Sequence, residues 1–144
     1  MKCYLRYIYM LALLAVVACA DKTPRVPDDY DKVPEIPAIY PDYIGVTIPC
    51  NIAPLTFRIE EKGSEFVTRM SAGDRSFVYG GAEVAPAKDE WEALVSQAVE
   101  DAIKVEVFAN EDGAWKGYEP VSIMVSGDSI DRYISYRLIP PSYV

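Results

Sequence analysis

One helical stripe in a chain otherwise patterned as strands is the feature that most constrains the fold. Apolar residues recur at helical spacing in a single window, at Trp91, Leu94, Val95, Ala98, Val99, Ala102 and Ile103. Elsewhere apolar and polar residues alternate, as between Leu55 and Glu60, which is typical of a strand with one buried face. Because there is no second helix to cover the stripe, the helix must lie on a sheet.

The strand pattern predicts the fold class. Further alternating segments rich in Val, Ile, Phe and Tyr are 64–71, 75–80, 104–109, 115–125 and 131–139. Asn110 to Gly113 predicts a hairpin turn. We therefore predict a mainly β domain over 44–144, an Ig/fibronectin-like β-sandwich of about seven strands with one amphipathic helix at about 88–104.

The helix prediction is explicit about burial. Asp89 and Glu90 in the first turn and Lys104 near the last agree with the helix dipole. The residues expected to be buried are Leu94, Val95, Ala98, Val99 and Ile103. Those expected to face water are Glu92, Gln97, Glu100 and Asp101.

The first eighteen residues differ from the rest of the chain. Lys2 and Arg6 form a basic start, and an uncharged apolar run follows from Tyr7 to Val17. That run is shorter than the roughly 20 residues needed to span a bilayer as a helix, so it predicts a signal peptide over 1–18.

The end of this run, Val16-Val17-Ala18-Cys19, resembles the lipobox of bacterial lipoproteins. The resemblance implies cleavage before Cys19 and acylation of its thiol, with palmitate among the acyl chains. Several acyl chains hold a protein stably on a membrane. An ordinary secretory signal, with Cys19 near its end by chance, is the alternative.

Residues 19–43 predict a tether. Pro24, Pro27, Pro34, Pro37 and Pro41 alternate with acidic residues in this stretch, which favours extended polyproline-II chain. Fully extended, it would reach roughly 70 Å. Packing of its last few residues along the domain remains open.

Composition excludes several kinds of function. Loss of Lys2 and Arg6 from the 14 basic residues, against 22 acidic ones, leaves the mature chain at −10, which argues against a nucleic acid partner. The chain has no histidine and no nucleotide-binding or nucleophile-elbow motif. We expect no enzyme activity, no cofactor and no metal site.

Two residue classes remain as candidate sites. The first class is the carboxylates Glu60, Glu61, Glu65, Asp101 and Glu106, a pair of which could in principle serve a glycosidase. We expect them to lie on solvated surface instead, with Glu60 and Glu106 on outward strand faces. Trp115 and Tyr118 are possible ligand contacts, because exposed aromatic rings suit sugars and protein partners. Packing in the core is the alternative for both rings. Cys50 is expected to be a buried, inert thiol.

Two longer stretches carry a family resemblance. Tyr40 to Phe57 (YPDYIGVTIPCNIAPLTF) and Asp131 to Pro141 (DRYISYRLIPP) resemble the N-terminal domain of large predicted β-propeller lipoproteins of Bacteroidota. No propeller follows here, so we expect a shortened member or a fragment. The resemblance implies no catalytic residue.

The same resemblance implies a place in the cell envelope. In lipoproteins of outer-membrane bacteria an aspartate after the cysteine is a retention signal for the inner membrane, and here the residue is Ala20. We therefore expect a lipid anchor in the outer membrane, facing the periplasm or the cell surface. The first functional hypothesis is a non-enzymatic module that docks onto an envelope protein, and the second is glycan binding.

Overall fold

The structure is a computed structural model that describes residues 23–131 and residue 133. Within them lie ten strands and one helix. In chain order these are β1 Asp31–Lys32, β2 Ile39–Tyr40, β3 Thr47–Pro49, β4 Phe57–Ile59, β5 Glu65–Ala72, β6 Arg75–Gly80, β7 Glu83–Val84, α1 Lys88–Gln97, β8 Ala102–Glu111, β9 Ala114–Gly117 and β10 Val121–Ser126.

A seven-stranded sheet, the large sheet, is built around β8. One edge of β8 pairs antiparallel with β5, which in turn pairs with β6. Its other edge is shared, because β9 pairs with the second half of β8 and β10 with the first half. Two short strands extend these partners in parallel, β1 beside β9 and β3 beside β10.

The segment predicted as one strand over 115–125 is two strands. β9 ends at Gly117 and β10 begins at Val121, with Pro120 between them. Proline has no N–H to donate to a strand ladder, so pairing with β8 is interrupted there. The interruption is short, because the Tyr118 N–H still donates to the Val107 carbonyl at 3.1 Å and β10 continues along the same edge of β8.

The β8–β9 hairpin turns where the sequence predicts it. Asp112 and Gly113 both have positive φ, of 54° and 89°, as a tight two-residue hairpin loop requires. The side-chain oxygen of Asn110 accepts a hydrogen bond from the Gly113 N–H at 3.0 Å.

A three-stranded sheet, the small sheet, has the order β2-β4-β7. Its buried side chains and those of α1 belong to one hydrophobic core with the inner face of the large sheet. Met70, Ile103, Val107 and Ile123 supply much of that inner face. The predicted fold class, a mainly β sandwich of about seven strands with one helix, is confirmed.

The helix begins where predicted and ends earlier. It covers Lys88–Gln97 instead of 88–104, so Lys104 does not lie in its last turn. Trp91, Leu94 and Val95 are buried, and the Trp91 Nε1–H donates to the Ile52 carbonyl at 3.0 Å.

Sheet pairing explains the early end of the helix. From Ala102 onward the chain forms β8, which is paired on both edges, so its backbone bonds and its inward Ile103, Val105 and Val107 favour a strand. Ile103 is therefore buried from β8 and not from α1. Val99 lies beyond the helix and is 42% exposed, so its predicted burial is wrong.

The segment predicted as a tether is part of the folded domain in its described portion. Asp31–Lys32 and Ile39–Tyr40 are strands of the two sheets, and Ile39 is 7% exposed. Main-chain pairing and apolar burial hold this extended chain on the domain. The domain therefore begins before residue 44, and the free reach of roughly 70 Å does not hold.

Several predictions fall outside the described residues. These are the signal peptide over 1–18, Cys19 with its lipid, and nearly all of the strand at 131–139. Among the residues that are described, no helix has the length and apolar character to cross a membrane.

Candidate functional site

The outer face of the large sheet carries a covered row of residues. Gly80, Val67, Phe108 and Gly117 are register partners across four adjacent strands, β6, β5, β8 and β9. Val67 and Phe108 are 7% and 3% exposed although they point away from the inner core. Another part of the chain must therefore cover them.

Residues 23–33, here the N-terminal strap, lie over this row. At one end, Pro24 is so close to Gly80 that a Cβ added to the glycine would be 3.1 Å from the proline Cβ. At the other end, the Tyr30 ring meets Phe108 edge-on, with 5.0 Å between ring centroids. A Cβ on Gly117 would be 2.5 Å from that Tyr30 ring. The two glycines thus leave the space in which the strap lies.

Main-chain bonds fix the second half of the strap. β1 is parallel to β9, and the Val33 N–H donates to the Gly117 carbonyl at 2.9 Å. Shortly after the strap, the Glu119 N–H donates to the Glu35 carbonyl at 3.0 Å. The strap is therefore a structural element and not a loosely attached tail.

Glu106 lies on the same outer face and is not the solvated carboxylate that the sequence predicts. Its side chain is 13% exposed, and it accepts hydrogen bonds from Arg69 Nε at 2.6 Å and Lys104 Nζ at 3.0 Å. Burial alone would raise its pKa, but the bonds from Arg69 and Lys104 outweigh burial and hold the pKa below 4.5.

The outward face of the small sheet carries a second row, formed by Tyr40, Arg58 and Glu83 from its three strands. An open groove of about 420 Å³ runs along this row and is also lined by Pro41, Thr56 and Ala85. We call it the Tyr40 groove. Tyr40 is 64% exposed, which is unusual for a large ring.

Arg58 is the cationic member of the Tyr40 groove. Its guanidinium donates to Glu60 Oε1 at 2.7 Å, and this hydrogen bond and the charge of Glu60 raise its pKa, as the nearby Glu83 also does. The groove thus presents an aromatic ring, a cation and an anion side by side. That combination binds partners through stacking, charge and hydrogen bonds.

Trp115 and Tyr118, the predicted ligand contacts, do not form a common platform. Tyr118 is half-buried against the core, and its hydroxyl donates to Glu61 Oε2 at 3.1 Å. Trp115 is also half-buried and lies three positions earlier, so strand alternation turns it to the opposite face. The structure does not bring the two rings together.

Burial raises the pKa values of two tyrosines, Tyr118 and Tyr79. Burial, followed by the hydrogen bond to Glu61, raises the pKa of Tyr118 to about 12. Burial, followed by the bond to Glu90, also raises the pKa of Tyr79. Both hydroxyls therefore stay protonated at neutral pH and act as hydrogen-bond donors that tie elements together.

The remaining candidate residues hold the fold together. Glu61 also accepts a bond from the Ala38 N–H at 2.7 Å, and Glu60 pairs with Arg58 on exposed surface. Cys50 is half-buried, with its sulfur 3.5 Å from the Asp128 carbonyl oxygen.

Over residues 23–131 and 133, no group of three or more Cys, Asp or Glu side chains is placed to hold a metal ion.

Sequence reasoning missed both the strap and the Tyr40 groove. Gly80 and Gly117, each at the end of a strand, could have indicated the strap, because glycine in a strand often marks the close approach of another segment. The groove leaves a weaker signal, because Tyr40 becomes a surface residue only once Ile39 is known to point inward.

No family model, no curated protein and no solved structure matches this chain.

Proposed function

We propose that the protein is a lipoprotein of the outer membrane, anchored through lipid on Cys19 and facing the periplasm or the cell surface. Its domain acts as a non-enzymatic module that docks onto another protein of the cell envelope. The Tyr40 groove is the docking surface.

The row formed by Tyr40, Arg58 and Glu83 carries this proposal. Tyrosine and arginine, together with tryptophan, are enriched among the residues that dominate binding energy in protein interfaces. Here they stand adjacent on a paired, three-stranded support, so their positions are held before a partner arrives. The groove is open along its length, which suits an extended segment of a partner better than an enclosed small molecule.

The absence of an enzyme role rests on the chemistry of the chain. There is no histidine to act as a general base near neutral pH. The pKa values of Tyr79 and Tyr118 are raised first by burial and then by hydrogen bonds to carboxylates, and in Glu106 burial is outweighed by the bonds from Arg69 and Lys104. Groups used in this way stabilise the domain, which supports a non-enzymatic role.

The anchor is tested by metabolic labelling with radioactive palmitate. The wild-type protein should incorporate label and partition into the detergent phase, whereas Cys19→Ala should do neither. Cys50→Ala is the matched control and should label as wild type. Label retained by Cys19→Ala would contradict the anchor.

Docking is tested by photocrosslinking in cells. A benzoyl-phenylalanine placed at Tyr40 should give a discrete adduct, while the same probe at exposed Ser122 on β10 should give none. For the partner identified in that adduct, Arg58→Ala should weaken binding by about tenfold or more, as expected for an interface hot spot. Equal adducts at both positions, or none at Tyr40, would contradict docking at this groove.

Glycan binding is the second candidate, and the same groove favours it, because Tyr40 offers a flat exposed ring beside polar groups that can bond to hydroxyls. Electrophoresis in gels containing polysaccharides distinguishes the two functions. Retardation that Tyr40→Ala removes and Trp115→Ala preserves supports glycan binding at the groove. Migration unchanged across a broad panel of polysaccharides leaves protein docking as the proposal.

A further inference from the structure

The edge of the large sheet at β6 is open. β6 has six residues and pairs with β5 alone among the strands of the described residues. Main-chain groups alternate along an antiparallel pair, and the Gly81 N–H donates to the Phe66 carbonyl at 2.9 Å. The groups that face away from β5 are therefore those of Ser76, Val78 and Gly80. Among the described residues, no main-chain hydrogen bond satisfies them.

β6 lacks the features that protect the other edges of the two sheets. The edge strands β1, β2, β3 and β7 have two or three residues each, and β3 ends at Pro49, which has no N–H to donate. Proteins protect longer edges with charges, prolines or bulges. Between Ser76 and Gly80, β6 has no charge and no proline, and its pairing with β5 is regular. Such an edge readily accepts another strand.

Apolar side chains on both faces of β6 are only half-buried. Phe77 and Tyr79 pack against the core on the inner face, and Val78 lies on the outer face. A strand added beside β6 would bury more of all three side chains. Aromatic and β-branched residues also stabilise a sheet through cross-strand pairs, so this strand has the composition of an inner strand.

The charges on the inner face differ between the two ends of β6. Exposed Arg75 begins the strand and lies on the same face as Phe77. Near the other end, the Tyr79 hydroxyl donates to Glu90 Oε2 at 3.1 Å, and Asp89 is close to this ring. The start of β6 is thus basic on this face and its end is acidic. An antiparallel second copy would place basic against acidic at both ends of the contact.

The turn before β6 and the strap carry a second set of opposite charges. Asp74 is exposed in the turn, and exposed Arg25 follows the strap proline that lies against Gly80, at the other end of the strand. Glu83, beyond that end, is close enough to Arg58 of its own sheet to raise the arginine pKa, so its charge is offset there. An antiparallel copy therefore also brings Asp74 toward a basic side chain.

We propose that two copies of this chain pair through their β6 edges, antiparallel, about a two-fold axis that places Phe77 opposite Phe77. In this register Ser76 of each copy lies opposite Val78 of the other. Their outward main-chain groups then form about four hydrogen bonds across the axis. A two-fold contact uses the same edge of both copies, so assembly ends at the dimer.

This register also joins the opposite charges. Arg75 of each copy lies opposite Tyr79 of the other, with its guanidinium directed to the carboxylate of Glu90 in the second copy. Asp74 reaches the end of the second strand, where Arg25 lies. The dimer follows from described residues alone and depends neither on the lipid anchor nor on the Tyr40 groove.

Disulfide trapping in the full-length protein tests the pairing. Two copies with different epitope tags are co-expressed, both carrying Cys50→Ser, one with Ser76→Cys and the other with Val78→Cys, and are oxidised with copper phenanthroline. Opposed residues of a hydrogen-bonded pair have Cα atoms about 5.5 Å apart, within the range of a disulfide. An adduct that contains both tags should therefore form.

Like cysteines provide the control for register. Two copies that both carry Ser76→Cys, or both carry Val78→Cys, have their cysteines offset by two residues, which is about 7 Å along the strand and beyond disulfide reach. The mixed pair should exceed either like pair by about fivefold or more. Both substitutions are small and lie at half-buried or exposed positions, so the domain is expected to fold.

Charge variants test the contact of Arg75. Arg75→Glu in both copies should lower the yield of the mixed adduct by about tenfold, because it places like charges opposite each other. Lys32→Glu is the matched control, since it makes the same change of charge at an exposed residue of β1, at the opposite edge of the sheet. It should leave the yield unchanged.

A mixed adduct no stronger than that of the parent carrying only Cys50→Ser would overturn the dimer. Equal yields from mixed and like cysteines would overturn the register, and equal losses in Arg75→Glu and Lys32→Glu would overturn the charge pairing. A disulfide from position 76 or 78 to a different protein would show that another chain occupies the edge, and the proposal would then fail.

Discussion

A side chain at position 117 would fill the space that the Tyr30 ring now occupies and should destabilise the domain. This effect should vanish when the Tyr30 ring is absent. In Gly117→Ala the new Cβ would lie 2.5 Å from two carbons of the Tyr30 ring, about 1 Å closer than van der Waals contact allows. The ring must move and lose its edge-on contact with Phe108. Overpacking of this kind costs about 1–3 kcal/mol, and an aromatic pair contributes about 0.5–1.5 kcal/mol.

A double-mutant cycle isolates the contact. In a Tyr30→Ala background, Gly117→Ala should cost under about 0.5 kcal/mol, because only the Phe108 ring, 3.2 Å from the new Cβ, must adjust. The coupling energy is then about 1.5–3 kcal/mol. Tyr40→Ala, at a tyrosine that is 64% exposed, is the matched control for loss of a ring and should have little effect.

The measurement is urea unfolding of residues 19–144 carrying Cys19→Ala, with tryptophan fluorescence as the signal. The cycle requires four proteins and their free energies of unfolding. If Gly117→Ala costs the same free energy with and without the Tyr30 ring, the strap does not lie on Gly117 and the reasoning is refuted.

Three other substitutions test the core and its electrostatics. Leu94→Ala should lower the free energy of unfolding by about 2–5 kcal/mol, because the side chain is fully buried. Glu92→Ala, at an exposed position, should lower it by under about 0.5 kcal/mol. Equal losses in urea unfolding would contradict the assignment of Leu94 to the core. The lowered pKa of Glu106 stabilises the fold above its ordinary pKa of 4.5, and this stability is lost as the pH falls through the lowered value. Glu106→Gln should therefore flatten the decline of the urea midpoint below pH 4.5, and parallel declines in the two proteins would contradict this role of Glu106. The buried Thr68 hydroxyl has no hydrogen-bond partner among the described residues, so Thr68→Val should raise the free energy of unfolding by about 1 kcal/mol. A lower free energy of unfolding in this variant would indicate that the hydroxyl has a partner.

Local patterns predicted much of the sandwich. Alternation located β4, β5 and β6 to within a few residues, because each has one face on the core and one in water. The Asp112-Gly113 turn followed from the requirement for positive φ. The start of α1 agreed with the acidic residues Asp89 and Glu90 in its first turn.

Predictions failed where a distant contact decided the local structure. Ala102 and Ile103 continue the helical stripe, yet pairing of β8 with both β5 and β10 places them in a strand. Phe108 lies on the outer face of β8, and contact with Tyr30 of the strap, which no local pattern announces, helps to bury it. The prolines before residue 43 favour extended chain, which is the backbone shape that a strap or an added strand also needs.

The sequence predicted the type of residue in the candidate site but not which residues form it. Exposed aromatic residues were expected to carry recognition, but the choice of Trp115 and Tyr118 ignored which face each ring would occupy. Tyr40 and Arg58 become neighbours through the pairing of β2 with β4, which are joined by a long connection. Such pairing depends on the whole core and leaves little trace in either strand alone.

Hydrogen–deuterium exchange of the purified protein measures whether residues 23–33 are folded onto the sheet. The Val33 amide is bonded to the Gly117 carbonyl at 2.9 Å, and the strap covers the row beneath it. Peptides spanning residues 24–36 should therefore show slow exchange at Val33, comparable with the amides of β9. Exchange at the rate of an unstructured chain throughout 24–36, with β5 and β8 still protected, would contradict the account, because the segment would then be the free tether that its prolines suggest.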